Sequence, residues 1–105
     1  MKDVVRGNFD ESVSAYDAYE RRTRRFSTLA RLLWAEMSRQ SERSLNTVLD
    51  AGAGTGASTW VLEDGSSTLV ALDISREMLR ANDAGGRVQG DLDSLPFLDA
   101  SFDAI

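Results

Sequence analysis

Residues 47–56 read T-V-L-D-A-G-A-G-T-G. The stretch begins apolar at Val48 and Leu49, turns acidic at Asp50, and continues with glycine at every second position. Two β-favouring or apolar residues in a row suit a buried strand. Gly52, Gly54 and Gly56 lack a Cβ, so the chain can turn sharply there and bring its backbone close to a ligand. The next residues, 57–63 (A-S-T-W-V-L-E), read as a short helix. Strand, glycine-rich turn and helix together make a βα unit. The N-terminus of its helix offers unpaired N–H groups to a negative or polar partner.

The same alternation continues downstream. Residues 64–67 (D-G-S-S) form a turn, with Gly65 suited to the position just past a helix end. Residues 68–73 (T-L-V-A-L-D) are nearly all apolar, as expected of a strand covered on both faces. Ser75 is placed to cap a helix over 76–83, with Glu77 in its first turn. Gly85 and Gly86 end that helix, and 87–90 makes a short third strand. A loop over 92–101 holds the only proline, Pro96, and F-D-A-I at 102–105 begins a fourth strand. Alternating strands and helices imply a parallel sheet joined by crossovers.

Upstream, residues 8–40 are helical. Asn8 or Asp10 can cap a first helix over 11–19. Arg21, Arg22, Arg24 and Arg25 follow, either as a solvated helix face or as a clamp for an acidic substrate or carrier. Phe26, Leu29, Ala30, Leu33 and Met37 then recur at helical spacing, widened by Leu32 and Trp34. Tyr16 and Tyr19 read first as packing residues. Residues 41–46 are a polar connector, and the first strand spans 45–51.

Composition bounds the function. At 105 residues the chain is at most one small domain, and 42% apolar with 28% charged residues is an ordinary globular mixture. There is no cysteine and no histidine. Disulfides, thiolate nucleophiles and Cys-based zinc sites are excluded, and the commonest general base is missing. No apolar run approaches the roughly 20 residues of a membrane span, and the first residues lack a signal-peptide core. A cytoplasmic protein without membrane partners is the expectation. The net charge of −5 is uneven: residues 1–44 carry nine Lys/Arg against seven Asp/Glu, and residues 45–105 carry three against ten. That distribution argues against a nucleic-acid surface. It suits a cationic ligand, or serves solubility alone.

V-L-D-A-G-A-G-T-G resembles motif I of the class I S-adenosylmethionine (SAM) dependent methyltransferases. A-L-D-I-S at 71–75 resembles the acidic end of that family's second strand, and G-D-L-D-S-L-P-F at 90–97 its adenine-side loop after the third. The resemblance covers about residues 9–105 and is strongest from Val48 onward. F-D-E-S-V-S-A-Y-D at 9–17 is similar to the N-terminal helix over the SAM pocket of ubiquinone/menaquinone-type and biotin-pathway methyltransferases.

The resemblance implies an α/β, Rossmann-like parallel sheet of order 3-2-1-4. Residues 1–44 are then a helical N-terminal segment and residues 45–105 the SAM-binding half, with the domain truncated in its fourth strand. It implies SAM as cofactor and a methyltransferase activity toward a small-molecule or carrier-bound acceptor. Gly52, Ala53, Gly54 and Gly56 would approach the methionine part, their N–H groups facing its carboxylate. Asp50 would satisfy the amino group, directly or through water. Asp73, 21 residues after Gly52, would accept from the ribose hydroxyls. Ile74 and Met78 would flank the adenine, Asp91 would accept from its amino group, and Leu92 would offer its backbone N–H. No catalytic residue and no metal are implied. An unpaired fourth strand would favour self-association. Two rival readings remain open on the residues. Gly52, Gly54 and Ala57 also satisfy a relaxed nicotinamide-dinucleotide pattern, although Asp50, Gly56 and the 90–97 loop do not fit it. The chain can also be a non-catalytic SAM-binding or interaction module.

Overall fold

The computed structural model describes Arg6 and residues 12–105. The expected caps Asn8 and Asp10, and the expected helix start at Glu11, lie outside the described residues. Three parallel strands form the sheet: β1 (Thr47–Ala51), β2 (Thr68–Asp73) and β3 (Gly86–Gln89). β2 is central. Its register runs from Thr47 opposite Thr68 to Ala51 opposite Leu72 on one side, and from Val70 opposite Gly86 to Asp73 opposite Gln89 on the other. Ala104 makes a parallel bridge to Val48 on the free side of β1. The order is therefore 3-2-1 with the final segment beside β1, as expected. The fourth strand is reduced to that single bridge. The Asp103 carboxylate accepts from the N–H groups of Asn46 (3.0 Å) and Thr47 (3.1 Å), which anchors the segment to the start of β1.

The core lies where the apolar runs of β1 and β2 meet the helices. Leu49 and Leu72 are 1% and 0% exposed, and Val48, Leu69, Ala71, Leu79, Ala84 and Ala104 form a buried cluster of their own. Each fully buried leucine contributes about 1.5–3 kcal/mol through removal of apolar surface from water.

The helices depart from their sequence-based bounds in informative ways. α1 (Val13–Thr23) runs past its expected end at Tyr19 and takes in Arg21 and Arg22. Arg24 turns into the left-handed region (φ 55°), and α2 (Arg25–Gln40) starts immediately after it. The four arginines are thus not one helix face but a helix end, a link and a helix start. The junction is held by Glu20. Its buried carboxylate accepts from the Phe26 N–H (3.0 Å), the Ser27 N–H (3.1 Å) and the Ser27 hydroxyl (3.0 Å). A negative group there satisfies orphan donors of α2 and complements its dipole.

α2 buries Ser27 and Ala30, while Leu29, Leu32 and Leu33 stay 55–66% exposed. The apolar periodicity gave the helix correctly but not the side that packs. Trp34 is the large α2 side chain that reaches the core cluster. It also explains Gly65. α3 (Thr59–Gly65) ends on this glycine without a left-handed φ, and a Cβ there would overlap the Trp34 indole. Gly65 is therefore required for close approach, not for the turn geometry expected of it. Arg31 of α2 lies 4.7 Å from the ring centre of Trp60 on α3, a second contact between the two helices.

α3 starts two residues later than expected, because the glycine-rich loop continues through Ser58. α4 (Arg76–Arg80) starts as expected: the Ser75 hydroxyl oxygen accepts from the Met78 N–H at 3.1 Å. It stops short of 83, and Asn82 leaves the helix with its side chain fully buried.

Candidate cofactor site

The carboxyl ends of the strands open onto a cavity of about 500 Å³. The loop after β1 supplies Gly52, Ala53, Gly54 and Thr55 to its wall. The end of β2 supplies Asp73 and Ile74, α4 supplies Met78, and the segment after β3 supplies Asp91 and Leu92. Eight of the ten residues singled out from the sequence therefore meet at one place. Asp50 and Gly56 are not on this wall.

Asp50 is the penultimate residue of β1. Its Oδ2 accepts from the Thr59 hydroxyl at 2.7 Å. Burial pushes its carboxyl above the usual value, the Thr59 hydrogen bond opposes this, and the negative Asp73 nearby adds to it. Gly56 has φ 105°, and a Cβ there would meet the Asn82 side chain at 3.4 Å. Its glycine character serves the packing of the loop onto Asn82.

The loop conformation is set by hydrogen bonds to β2. Gly52 and Ala53 both donate to the Leu72 carbonyl, at 2.8 and 2.9 Å. Gly54 donates to Asp73 Oδ2 at 2.8 Å, and Gly56 to the Ala53 carbonyl at 3.3 Å. The N–H groups expected to face a ligand carboxylate are thus turned inward at all four positions. The cause is the tight curl of the loop back over the end of β2, with φ 78° at Gly52 and 58° at Gly54. Among the described residues no hydrogen bond engages the Thr55 N–H. A Cβ on Gly54 would meet nothing within 4 Å, so the backbone there faces open space.

Asp73 is buried, 9% exposed, and both of its oxygens already have a partner: Oδ2 takes the Gly54 N–H, and Oδ1 takes the Ser75 N–H at 2.9 Å. A carboxylate offers about four acceptor positions, so two remain for a ligand. Asp91 Oδ1 accepts from the Asp93 N–H at 2.9 Å, which shapes the loop after β3. Asp73, Asp91 and Asp93 give the wall three carboxylates, and among the described residues no Lys or Arg lines it. Among the described residues no cluster of His, Cys, Asp and Glu could hold a metal ion.

Sequence reasoning missed part of the wall. Thr55, Ala57, Ser58 and Asp93 lie on it, as do Tyr16 and Phe26 from the two N-terminal helices. Tyr16 and Phe26 have ring centres 6.2 Å apart and are 40% and 38% exposed. Phe26 was absorbed into the helical apolar period, which cannot tell a core position from a cavity wall. For Tyr16, the N-terminal resemblance was the one signal that a helix lies over this pocket.

The sequence pattern of the methyltransferase-domain family matches residues 49–105, more than half of the chain. The chain belongs to that family. The methyltransferase domain is 30% identical over 106 residues to a malonyl-[acyl-carrier protein] O-methyltransferase of Pseudescherichia vulneris, across 97% of this chain and 40% of that protein. It is 43% identical over 65 residues to a demethylmenaquinone methyltransferase of Renibacterium salmoninarum, across 55% of this chain and 26% of that one. Its fold is similar to a crystal structure from Methanococcus maripaludis described as a SAM-dependent methyltransferase. The TM-score is 0.65 at 21% identity, over 83% of this chain and 44% of that one. The methyltransferase domain thus spans less than half the length of these relatives. Membership in this family does not favour the nicotinamide-dinucleotide reading. Among the described residues no helix is long and apolar enough to cross a membrane.

Proposed function

We propose that the chain carries the SAM-binding half of a methyltransferase that acts in the cytoplasm on a small-molecule or carrier-bound acceptor. The observation that carries this reading is the acidic cavity of about 500 Å³ at the strand ends. The donor set suits the ligand: SAM bears a sulfonium and an ammonium, and the wall offers three carboxylates and, among the described residues, no opposing cation. The open space at Gly54 lets a ligand approach the backbone.

The roles are those that the family resemblance implies, and the chemistry of each group suits them. Asp73 accepts from the ribose hydroxyls with its two remaining acceptor positions. Ile74 and Met78 flank the adenine, Asp91 accepts from its amino group, and the Leu92 N–H donates to the ring. Gly52, Ala53 and Gly54 form the floor under the methionine part, and Thr55 supplies the N–H for its carboxylate. Asp50 serves the ammonium through water. When bound, SAM supplies an electrophilic methyl group. The protein's part is orientation and exclusion of water, the terms that matter for an in-line displacement. Tyr16 and Phe26 close the cavity from the helical side. A base is needed only if the acceptor must lose a proton. The relatives bear names with two different acceptors, malonyl-[acyl-carrier protein] and demethylmenaquinone, which supports the acceptor class and not one member of it.

Calorimetric titration with S-adenosylhomocysteine against NADH tests the reading. S-adenosylhomocysteine binds and NADH does not. Asp73→Ala removes charge-assisted bonds worth about 1.5–3 kcal/mol each. Gly54→Val places a branched side chain in the cavity, and binding is lost. NADH binding, or unchanged affinity in Asp73→Ala, sinks the assignment.

A further inference from the structure

We infer that Asn82, which does not line the cavity, is the positioning residue that aims the Thr55 N–H into it. The inference rests on the SAM reading for the identity of the ligand, but not for the geometry.

Asn82 is 0% exposed. Its side-chain amide donates to the Gly54 carbonyl at 3.2 Å and to the Thr59 hydroxyl oxygen at 2.9 Å. Its Oδ1 accepts from the Ala84 N–H at 2.9 Å. The orientation of the amide is fixed by its partners, since a backbone N–H must meet oxygen and a backbone carbonyl must meet nitrogen. All three bonds stay within protein, so the amide needs nothing from the ligand.

The consequence lies one peptide away. In a trans peptide the C=O and the following N–H point in opposite directions, and the described chain has no cis peptide. Holding the Gly54 C=O against Asn82 turns the Thr55 N–H away from Asn82. Thr55 is on the cavity wall, and its N–H, like those of Ala57 and Ser58 further along the loop, has no protein partner among the described residues. On the other side of Gly54, its own N–H is held by Asp73 Oδ2. The two peptides flanking Gly54 Cα are therefore clamped from opposite sides, one by β2 and one by Asn82, at a glycine whose φ of 58° costs it nothing. Asn82 also fixes the Thr59 hydroxyl. Because the amide donates to Thr59 Oγ1, the single hydroxyl proton is directed to Asp50 Oδ2. One buried amide thus orients one of the wall's donors and the donor that faces Asp50.

Asn82→Leu and Asn82→Ser in isotopically labelled protein test this by NMR, calorimetry and thermal melts. Leucine removes all three bonds. Serine keeps an acceptor for the Ala84 N–H but is too short for Gly54. In both variants the Thr55 amide nitrogen shifts in the ligand-free protein, because it reports a hydrogen bond on the preceding carbonyl. The Gly52 and Ala53 amides, which donate to Leu72, stay put. Affinity for S-adenosylhomocysteine falls about tenfold or more, through the loss of one aimed donor. The large Thr55 amide shift that the ligand induces in the parent protein disappears. Should leucine prevent folding, serine alone decides. A Thr55 signal unchanged in a folded variant overturns the inference, as does an affinity loss that leaves the ligand-induced Thr55 shift intact. If the parent protein binds no S-adenosylhomocysteine, the SAM reading fails, while the ligand-free Thr55 shift still decides the role of Asn82.

Discussion

At the scale of single residues, the site is built from groups that each do two things. Asp73 faces the cavity and also holds the Gly54 and Ser75 N–H groups. Asp50 is the opposite case: a carboxylate in a place that disfavours its charge. Its folded-state carboxyl lies above the ordinary value of 3.8, first because of burial. The folded protein therefore binds a proton that the unfolded chain has already released, and stability falls as pH rises through the interval from 3.8 to that raised value. Above the interval the penalty is fully present. Asp50→Asn keeps an acceptor for Thr59 and carries no charge. The variant gains stability relative to the parent as pH rises through the interval, a difference read by denaturant unfolding at a series of pH values. A difference that is flat with pH would remove Asp50 from this role.

At the scale of elements, β2 is the member on which the others depend. It pairs on both edges, and its Leu72 is 0% exposed while the Leu72 carbonyl holds the start of the loop. Leu72→Ala leaves a cavity that strands paired on both sides cannot collapse into. It costs about 2–5 kcal/mol in urea unfolding, and a loss below 1 kcal/mol would show that the sheet centre repacks. The elements that sequence reading placed well are those with local causes. β2 matches its expected bounds because its apolar run sits between turn residues. α4 begins where Ser75 can cap it. The glycines and Asp73 and Asp91 of the wall were legible because glycine-rich turns and acidic strand ends gather at the carboxyl edge of a parallel sheet, whereas Ile74, Met78 and Leu92 came from the family resemblance. What was not legible depended on partners far along the chain. Asn82 lies 28 residues from Gly54 and 23 from Thr59, and nothing local marks it. Gly65 carries the signature of a helix stop, yet its reason is an indole 31 residues earlier. The left-handed Arg24 was hidden because Glu20, not glycine, secures that turn.

At the scale of the whole molecule, apolar surface is left uncovered on one side. Leu29, Leu33 and Met37 of α2, with Ile105, border a groove of about 250 Å³ floored by Leu49 and Ala104. Exposed contiguous apolar surface of this kind drives association. We expect the 105-residue chain to self-associate through this groove, with a mass in light scattering that grows with concentration. The double variant Leu29→Glu, Leu33→Glu lowers that mass. A compact monomer at high concentration would contradict the prediction. The contact between α2 and α3, described above for what it demands of Gly65, has an optical side as well. The chain holds two indoles, one on each helix of this pair. Trp60 is 45% exposed beneath a guanidinium, so its emission is red-shifted and open to aqueous quenchers. Trp34 packs against the core cluster and is half-buried. Undocking α2 converts the second kind of emission into the first, so the fluorescence spectrum separates loss of this helix from loss of the sheet, without any added label.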